Sequence, residues 1–582
     1  MTVAAWRRRF LAPGVSFPTW ARDRPEHAVY SSNASGKWEV YAWGVAAGSH
    51  RQLTDRPEGT RGARLDPAGR RAWWFDDALG SEFGHWAVQA FAGGPAEPAV
   101  PGLPDAYPAG LAVGDRVVVM GSSDAGGSRL HVVRDGSPRE FYRHENHASV
   151  ASLSRDETLI AFNHSERGDS RHPAVRIVDV GGATMGEVDD GPGLGVEAGD
   201  WSPVAGDQRL LLAVERTGVQ RPAIWSLDTG AVHELELDLP GEVVASWYPD
   251  AGSLLIQHSH HARDELYRYG LGDGRLTRLD VPPGSISAAR VRPDGELWLQ
   301  WSDAANPPQI RGAGRIVLQA DGDPAPPGVA YRDLRAGDVH AFLAEPPGSG
   351  PHPTVFAIHG GPEAHVPDAF SAGVQAWVDH GFAVVMVNYR GSTGYGRAWR
   401  DALTGNPGLT ELADLAAVYD LVVSEGVADR SRMVIHGRSW GGYLTLLGLG
   451  VQPERWALGL AGVPVADYVA AFEDEMEPLK AYDRALFGGS PAEIPDAYRE
   501  RSPLTYIERV RVPVLILAGA NDPRCPIRQI DNYVARLRDL GKPHEVHRYE
   551  AGHASLKVEE SVLQQELMLD FCARHLGTPS PA

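Results

Sequence analysis

Seven turn-and-strand signatures recur along the first half of the chain at near-constant spacing, and this period limits the fold more than any other feature. They begin near Trp20 ("WARDRPEHAVYSS"), Leu65 ("LDPAGRRAWWF"), Leu111 ("LAVGDRVVVMG"), Leu153 ("LSRDETLIAFN"), Trp201 ("WSPVAGDQRLLLAV"), Trp247 ("WYPDAGSLLIQH") and Val291 ("VRPDGELWLQW"). Successive starts lie 45, 46, 42, 48, 46 and 44 residues apart. Each signature is a polar turn followed by a β-rich strand, and several carry a second strand such as "WEVYAW", "LHVVRD" or "AIWSLDTG". A unit of about four short strands repeated every 40 to 50 residues is the mark of a β-propeller. A pair of β-sandwiches would need six intervals to agree by coincidence. Seven starts predict seven blades, over residues 16–325, preceded by a segment 1–15 expected to pack on the second domain.

From about Tyr331 the pattern changes. Apolar strands ("TVFAIHG", "AVVMVNYRG", "MVIHGRS", "VPVLILAGA") alternate with helical stretches such as "TELADLAAVYDLVVSEG" and "IRQIDNYVARLRDLG". This alternation predicts a mostly parallel sheet with helices on both faces, an α/β-hydrolase domain over residues 326–582. The junction "LQADGDPAPPGVAYRD" is rich in Pro, Gly and Asp and reads as the linker.

Composition narrows the function classes. The formal net charge of -20 argues against nucleic acid or an anionic membrane as the main partner, because phosphate binding needs clustered cations. The only cysteines, Cys525 and Cys572, rule out a disulfide framework for the first 500 residues and make a zinc cluster improbable. No metal or cofactor is called for. The N-terminal "MTVAAWRRRFLAPG" lacks the apolar stretch of a signal peptide, and no apolar run is long enough to span a bilayer. A cytoplasmic location is the default expectation, and the oligomeric state, homo-oligomer or not, stays open.

In a parallel sheet, chemistry collects at the carboxyl ends of the strands. The stretch "MVIHGRSWGGYLTLLGLG" places Ser439 in Gly-x-Ser-x-Gly between a strand and an apolar helix, with Gly437 and Gly441 where strand and helix approach closely. A serine hydroxyl needs a base, and the base needs an orienting carboxylate. Asp522 follows the strand "VPVLILAGA", and His553 follows the strand "EVHRYE", giving the order Ser, Asp, His. His544 and His547 compete for the base, but they lie in or beside the strand. Oxyanion donors are expected from the Trp440 N–H and from the loop "FAIHGGPEAH".

These motifs, "HGGP" at His359 to Pro362, "NYRGSTGYG" at Asn388 to Gly396, "GRSWGGY" at Gly437 to Tyr443, "NDPRCP" and "AGH", in this order behind a propeller, resemble the prolyl oligopeptidase family of serine peptidases along nearly the whole chain. The resemblance implies a Ser439, Asp522, His553 triad and oxyanion N–H groups from Gly361 and Trp440. "HGGP", with His359 where other branches carry Tyr, and Arg524 two residues after the acid are similar to the acylaminoacyl peptidase branch, and make Arg524 a candidate substrate contact. The acidic stretch "FEDEMEPLK" offers Glu473 and Glu475 as candidates for holding a substrate ammonium, against the alternative of a solvated acidic face. The leading reading is a peptidase that releases acylated or free residues near the N-terminus of short peptides, with a propeller that excludes folded proteins. The alternatives are an esterase or small-molecule amidase with the same triad, and a non-catalytic propeller scaffold.

Overall fold

The structure is a computed structural model of the chain and describes residues 3–580. Seven four-stranded antiparallel sheets follow one another over 19–52, 64–98, 107–144, 148–188, 196–234, 242–278 and 285–318. They are blades 1 to 7 of a β-propeller. Within each blade the strands pair in chain order, and the first strands of successive blades meet around the axis. Each blade buries its apolar face on the next; between blades 4 and 5 this core contains Leu159, Ile177, Val196, Trp201 and Leu212. Every blade is one continuous segment, so no exchanged strand closes the ring. Instead Trp43 stacks on Trp298 with centroids 5.6 Å apart, Trp20 meets Trp298 edge-on at 5.7 Å, and the Arg292 guanidinium lies over Trp20 and Trp298 at 5.1 and 4.3 Å. Aromatic contacts of this kind contribute about 0.5–1.5 kcal/mol each beyond burial.

The turns between the second and third strands face the other domain. Arg263 of blade 6 pairs with Asp333 at 3.0 Å and Asp368 at 2.8 Å, and the Gly218 carbonyl of blade 5 accepts the Arg397 N–H at 2.9 Å. The first strands therefore end at the opposite mouth of the channel. There Arg155 of blade 4 bonds Asp23 of blade 1 at 2.7 Å, and Arg22 of blade 1 reaches Asp115 of blade 3 at 3.4 Å. Blades 1 and 4 are not neighbours, so the first of these pairs spans the far mouth.

The second domain holds an eight-stranded sheet: β1 (Arg332–Ala336), β2 (Val339–Ala344), β3 (His352–Ile358), β4 (Ala383–Asn388), β5 (Ala428–Arg438), β6 (Leu458–Gly462), β7 (Val514–Gly519) and β8 (His544–Tyr549). Its order is β1-β2-β4-β3-β5-β6-β7-β8, with β1, β2 and β4 antiparallel to their partners in turn and the rest parallel. The register sets Ile358 beside Gly437, Arg438 beside Gly462 and Gly519 beside Tyr549, so the carboxyl ends of β3, β5, β6, β7 and β8 share one edge. Separate apolar layers cover the two faces, as the alternating strands and helices require. The helix Ala5–Leu11 packs on the helices Ala372–Asp379 and Val558–Leu576 of this domain, with Trp6 buried and Arg7 bonded to Glu566 at 2.6 Å. Residues 1 and 2 of the expected N-terminal segment lie outside the described residues. Among the described residues no helix is long and apolar enough to cross a membrane.

Candidate active site

Ser439 sits between β5 and the helix Trp440–Val451 at φ 56°, ψ −122°, a conformation an L-residue adopts only when its surroundings impose it. Its N–H donates to the Gly462 carbonyl at 2.9 Å, which fixes the turn. The flanking glycines are a steric necessity. A Cβ on Gly437 would lie 2.4 Å from the Gly441 carbonyl carbon, and one on Gly441 would lie 2.2 Å from the Ile358 carbonyl oxygen.

Asp522 and His553 meet on the loops after β7 and β8. The Asp522 side chain is wholly buried; one oxygen accepts the Arg524 and Cys525 N–H groups at 2.8 and 3.0 Å, and the other lies 2.8 Å from His553 Nδ1. A proton on Nδ1 is held by that bond, so Nε2 keeps its lone pair and can act as a base. Among the described residues no hydrogen bond joins Ser439 Oγ to His553. The Arg438 side chain, next to the serine, bonds the His553 carbonyl at 3.4 Å. Asp522, Cys525 and His553 also have donor atoms within 4.8 Å of one another, but burial raises the Cys525 thiol well above its ordinary pKa and so opposes the thiolate a metal would need.

Gly360 lies directly against the serine: a Cβ there would be 3.3 Å from Ser439 Cβ and 3.1 Å from the Arg438 carbonyl. Gly361 takes φ 130°, which turns the loop away. The preceding His359 is stacked on Tyr389 with centroids 4.1 Å apart, and Nδ1 and Nε2 contact the Gly360 carbonyl at 2.8 Å and Ser392 Oγ at 2.9 Å. Burial pushes its pKa down to about 4, so the ring is neutral near pH 7. Trp440 opens its helix, so its N–H has no intrahelical partner and lies at the positive end of the helix.

Two features escaped the sequence reading. Glu411, fully buried, accepts the Gly408 N–H at 2.7 Å and the Trp440 indole N–H at 3.0 Å, and burial raises its pKa to about 8. It anchors the residue beside the serine. Its place at the third position of the helix Leu409–Ser424 was the available signal. The second feature is an ion cluster between domains. Arg171 of blade 4, with its side chain almost fully buried, donates to Glu363 at 2.6 Å, Thr404 at 2.9 Å and Asp401 at 3.2 Å, and Tyr482 OH reaches the same Glu363 at 3.2 Å. Glu363 directly follows "HGGP", so this cluster ties the glycine loop to the propeller. His172 beside it is held between Asp169 and Asp401, and hydrogen bonding to these carboxylates raises its pKa to about 9.

The candidate substrate contacts are dispersed. Arg524 makes a two-point ion pair with Glu82 of blade 2 at 2.7 and 2.9 Å. Glu473, on the surface, bonds Arg528 at 2.7 Å, and the neighbouring Asp474 bonds the same guanidinium at 2.5 Å. Neither Arg524 nor Glu473 is free to receive a substrate in this state. Glu475 alone of the run is buried, near Asp483 of the helix Glu477–Phe487, and one oxygen of each carboxylate lacks a partner. Burial raises both pKa values, that of Asp483 to about 8, and the two charges reinforce the shift on Glu475. The folded chain thus retains protons that the unfolded chain releases near pH 4, so stability falls as pH rises from about 4 to 8. Asp483→Asn is expected to raise Tm by a few degrees at pH 8 and by less at pH 5. Scanning calorimetry at the two pH values checks this; equal shifts would contradict it.

Comparison with known proteins places this arrangement. The sequence model of the prolyl oligopeptidase family matches residues 368–579. The chain is 29% identical over 373 residues to the acylamino-acid-releasing enzyme of Rattus norvegicus, covering 57% of this chain and 50% of that one. It is 32% identical over 234 residues to dipeptidyl peptidase family member 6 of Caenorhabditis elegans, covering 39% and 32%. The alignments thus span half or less of these relatives. A crystal structure of puromycin hydrolase superposes with TM-score 0.84 at 22% identity, covering 100% of this chain and 97% of that one. Pyrococcus horikoshii acylaminoacyl peptidase does so with TM-score 0.73 at 17%, covering 100% and 99%. These structures share the propeller and hydrolase architecture, and the match to the prolyl oligopeptidase family lies within the hydrolase domain, over residues 368–579.

Proposed function

We propose that the protein is a serine peptidase that cleaves short peptides near their N-terminus through an acyl-enzyme on Ser439. The observation that carries this reading is the buried Asp522 bonded to His553 Nδ1, on loops at the same sheet edge as the strained Ser439 turn. In the proposed reaction His553 Nε2 takes the Ser439 proton as Oγ attacks the carbonyl. The Trp440 N–H and the Gly360–Gly361 loop stabilise the oxyanion, with Gly361 as donor. The leaving amine departs with the proton from His553. Water, deprotonated by the same base, then frees Ser439 and releases the acid.

The site lies under the propeller, and the far mouth of the channel is spanned by the Arg155–Asp23 pair. This supports access from the side, between the domains, and exclusion of folded proteins. A second reading, an amidase of aminoacyl derivatives of small molecules, draws support from the full-length likeness to puromycin hydrolase. The two buried free cysteines fit a reducing, cytoplasmic location. The test compares N-acetyl-aminoacyl and free aminoacyl p-nitroanilides, puromycin, a decapeptide, and a folded protein carrying the same cleavable segment. The small substrates and the decapeptide are expected to be cleaved and the folded protein left intact. Turnover of puromycin without the decapeptide would select the amidase reading, and no labelling by a fluorophosphonate would remove both.

A further inference from the structure

The net charge is -20, yet one stretch of the channel wall carries solvent-exposed arginines with no carboxylate among the residues lining the space beside them. A cavity of about 500 Å³ at the channel wall is lined by Arg61, Arg64 and Arg290 with Trp73, Phe75 and Trp86, and by no aspartate or glutamate. A second cavity of about 610 Å³, between the propeller and the hydrolase domain, shares Arg61 and also has no acidic lining residue. Among the described residues neither Arg61 nor Arg64 makes an ion pair or a side-chain hydrogen bond. Arg290 approaches only Asp200, at 3.7 Å.

The placement of these groups is specific. Arg61 lies in the loop between blades 1 and 2, and Arg64 lies in the two-residue first strand of blade 2, opposite Trp73 and two residues before the Asp66 turn, so it sits deeper along the channel than Arg61. The Arg61 guanidinium is 4.6 Å over the Trp38 ring, which orients it without neutralising it. The Arg61 loop, and the blade 1 turn that carries Trp38, both rest on the segment just after His553. The Trp38 N–H donates to the Leu556 carbonyl at 3.0 Å, and a Cβ on Gly59 would lie 3.0 Å from Leu556 Cβ. Arg61 is open to the channel water, yet partial desolvation by the protein around it still holds its pKa below the ordinary value. Such a group gains most from a ligand that brings the missing charge. A guanidinium offers a carboxylate two parallel N–H bonds.

Resting on the peptidase reading above, we propose that Arg61 and Arg64 bind the free C-terminal carboxylate of the peptide held at Ser439. The chain then prefers peptides with a free carboxyl end over those with a blocked one. The aromatic wall covers the last side chains, and the cation pair fixes the end of the chain.

The experiment uses one octapeptide in two forms, free acid and C-terminal amide, with an uncharged aminoacyl p-nitroanilide as reference. KM for the acid is expected to be about tenfold below that for the amide. In Arg61→Gln, Arg64→Gln and the double variant, KM for the acid rises to that of the amide while kcat/KM for the p-nitroanilide is unchanged. Arg61→Lys, which keeps a cation over Trp38, retains part of the preference. Equal KM for acid and amide in the unaltered protein overturns the proposal, as does an acid preference that survives the double substitution. Calorimetric titration of Ser439→Ala with the two peptides reads binding without hydrolysis. If the unaltered protein cleaves neither peptide, tighter binding of the acid there upholds the site while the peptidase reading fails. Inorganic phosphate is titrated in parallel. If it binds and is lost with the arginines while the peptides show no acid preference, the site serves a free anion and the proposal falls.

Discussion

Ser439→Ala is expected to lower kcat/KM by about 10⁶ while the protein stays folded, the loss that follows removal of a nucleophile whose base and oxyanion donors remain. The structure explains why the two effects separate. The Ser439 side chain packs no core; its N–H to the Gly462 carbonyl and the Tyr443 N–H to its own carbonyl, both 2.9 Å, hold the turn, and alanine keeps both. Alanine also keeps the strain of φ 56°, so Tm should match the unaltered protein. Glycine at this position relieves that strain, which costs about 1–3 kcal/mol at such sites. Ser439→Gly should therefore be as inactive as Ser439→Ala but melt at a higher temperature. Initial rates on a chromogenic substrate, fluorophosphonate labelling and thermal melts of the three proteins decide the matter. More than a few per cent residual activity in Ser439→Ala would remove the assignment. A glycine variant no more stable than the alanine one would remove the claim that the turn is strained.

The propeller was legible because each blade is a self-contained segment, so its turn signatures repeat in sequence at the spacing at which the blades repeat in space. The order of Ser439, Asp522 and His553 was legible for a related reason: each follows a strand, and parallel strands deliver their ends to one edge. What was hidden depends on partners distant in sequence. "FEDEM" gives no sign that Glu473 turns outward to Arg528 while Glu475, two residues on, is buried; the end of the helix Tyr468–Asp474 separates them. Nothing around Arg171 announces that it crosses to Glu363, 192 residues away. Arg524 stands where the family resemblance puts a substrate contact, and its tie to Glu82 is visible only once blade 2 is set against the loop after β7. Charge partners are chosen by tertiary placement, whereas strand ends and turns are written locally.

Asp522→Asn is expected to lower kcat about 10⁴-fold with little change in KM and little loss of stability. The carboxamide oxygen of this variant would still accept the Arg524 and Cys525 N–H groups that now bond Asp522 at 2.8 and 3.0 Å, so the loop keeps its shape. The change falls on the other atom. At 2.8 Å from His553 Nδ1 an amide nitrogen replaces a carboxylate oxygen, and it donates where the carboxylate accepted. To receive that bond His553 must place its proton on Nε2, the atom that should take the serine proton, and the base is lost without displacement of the ring. The imidazolium that forms during attack also loses the buried negative charge that stabilises it. Substrate binding uses neither effect, which is why KM should hold. Asp522→Ala is a different perturbation, since it leaves two N–H groups unpartnered in a buried loop and should cost stability as well as rate. The pair of variants therefore separates the chemical role of the carboxylate from its structural one. If Asp522→Asn kept more than about a tenth of the original kcat, or if its KM rose as steeply as its kcat fell, the Asp522–His553 bond would be a loop fastening and the base would have to be sought elsewhere.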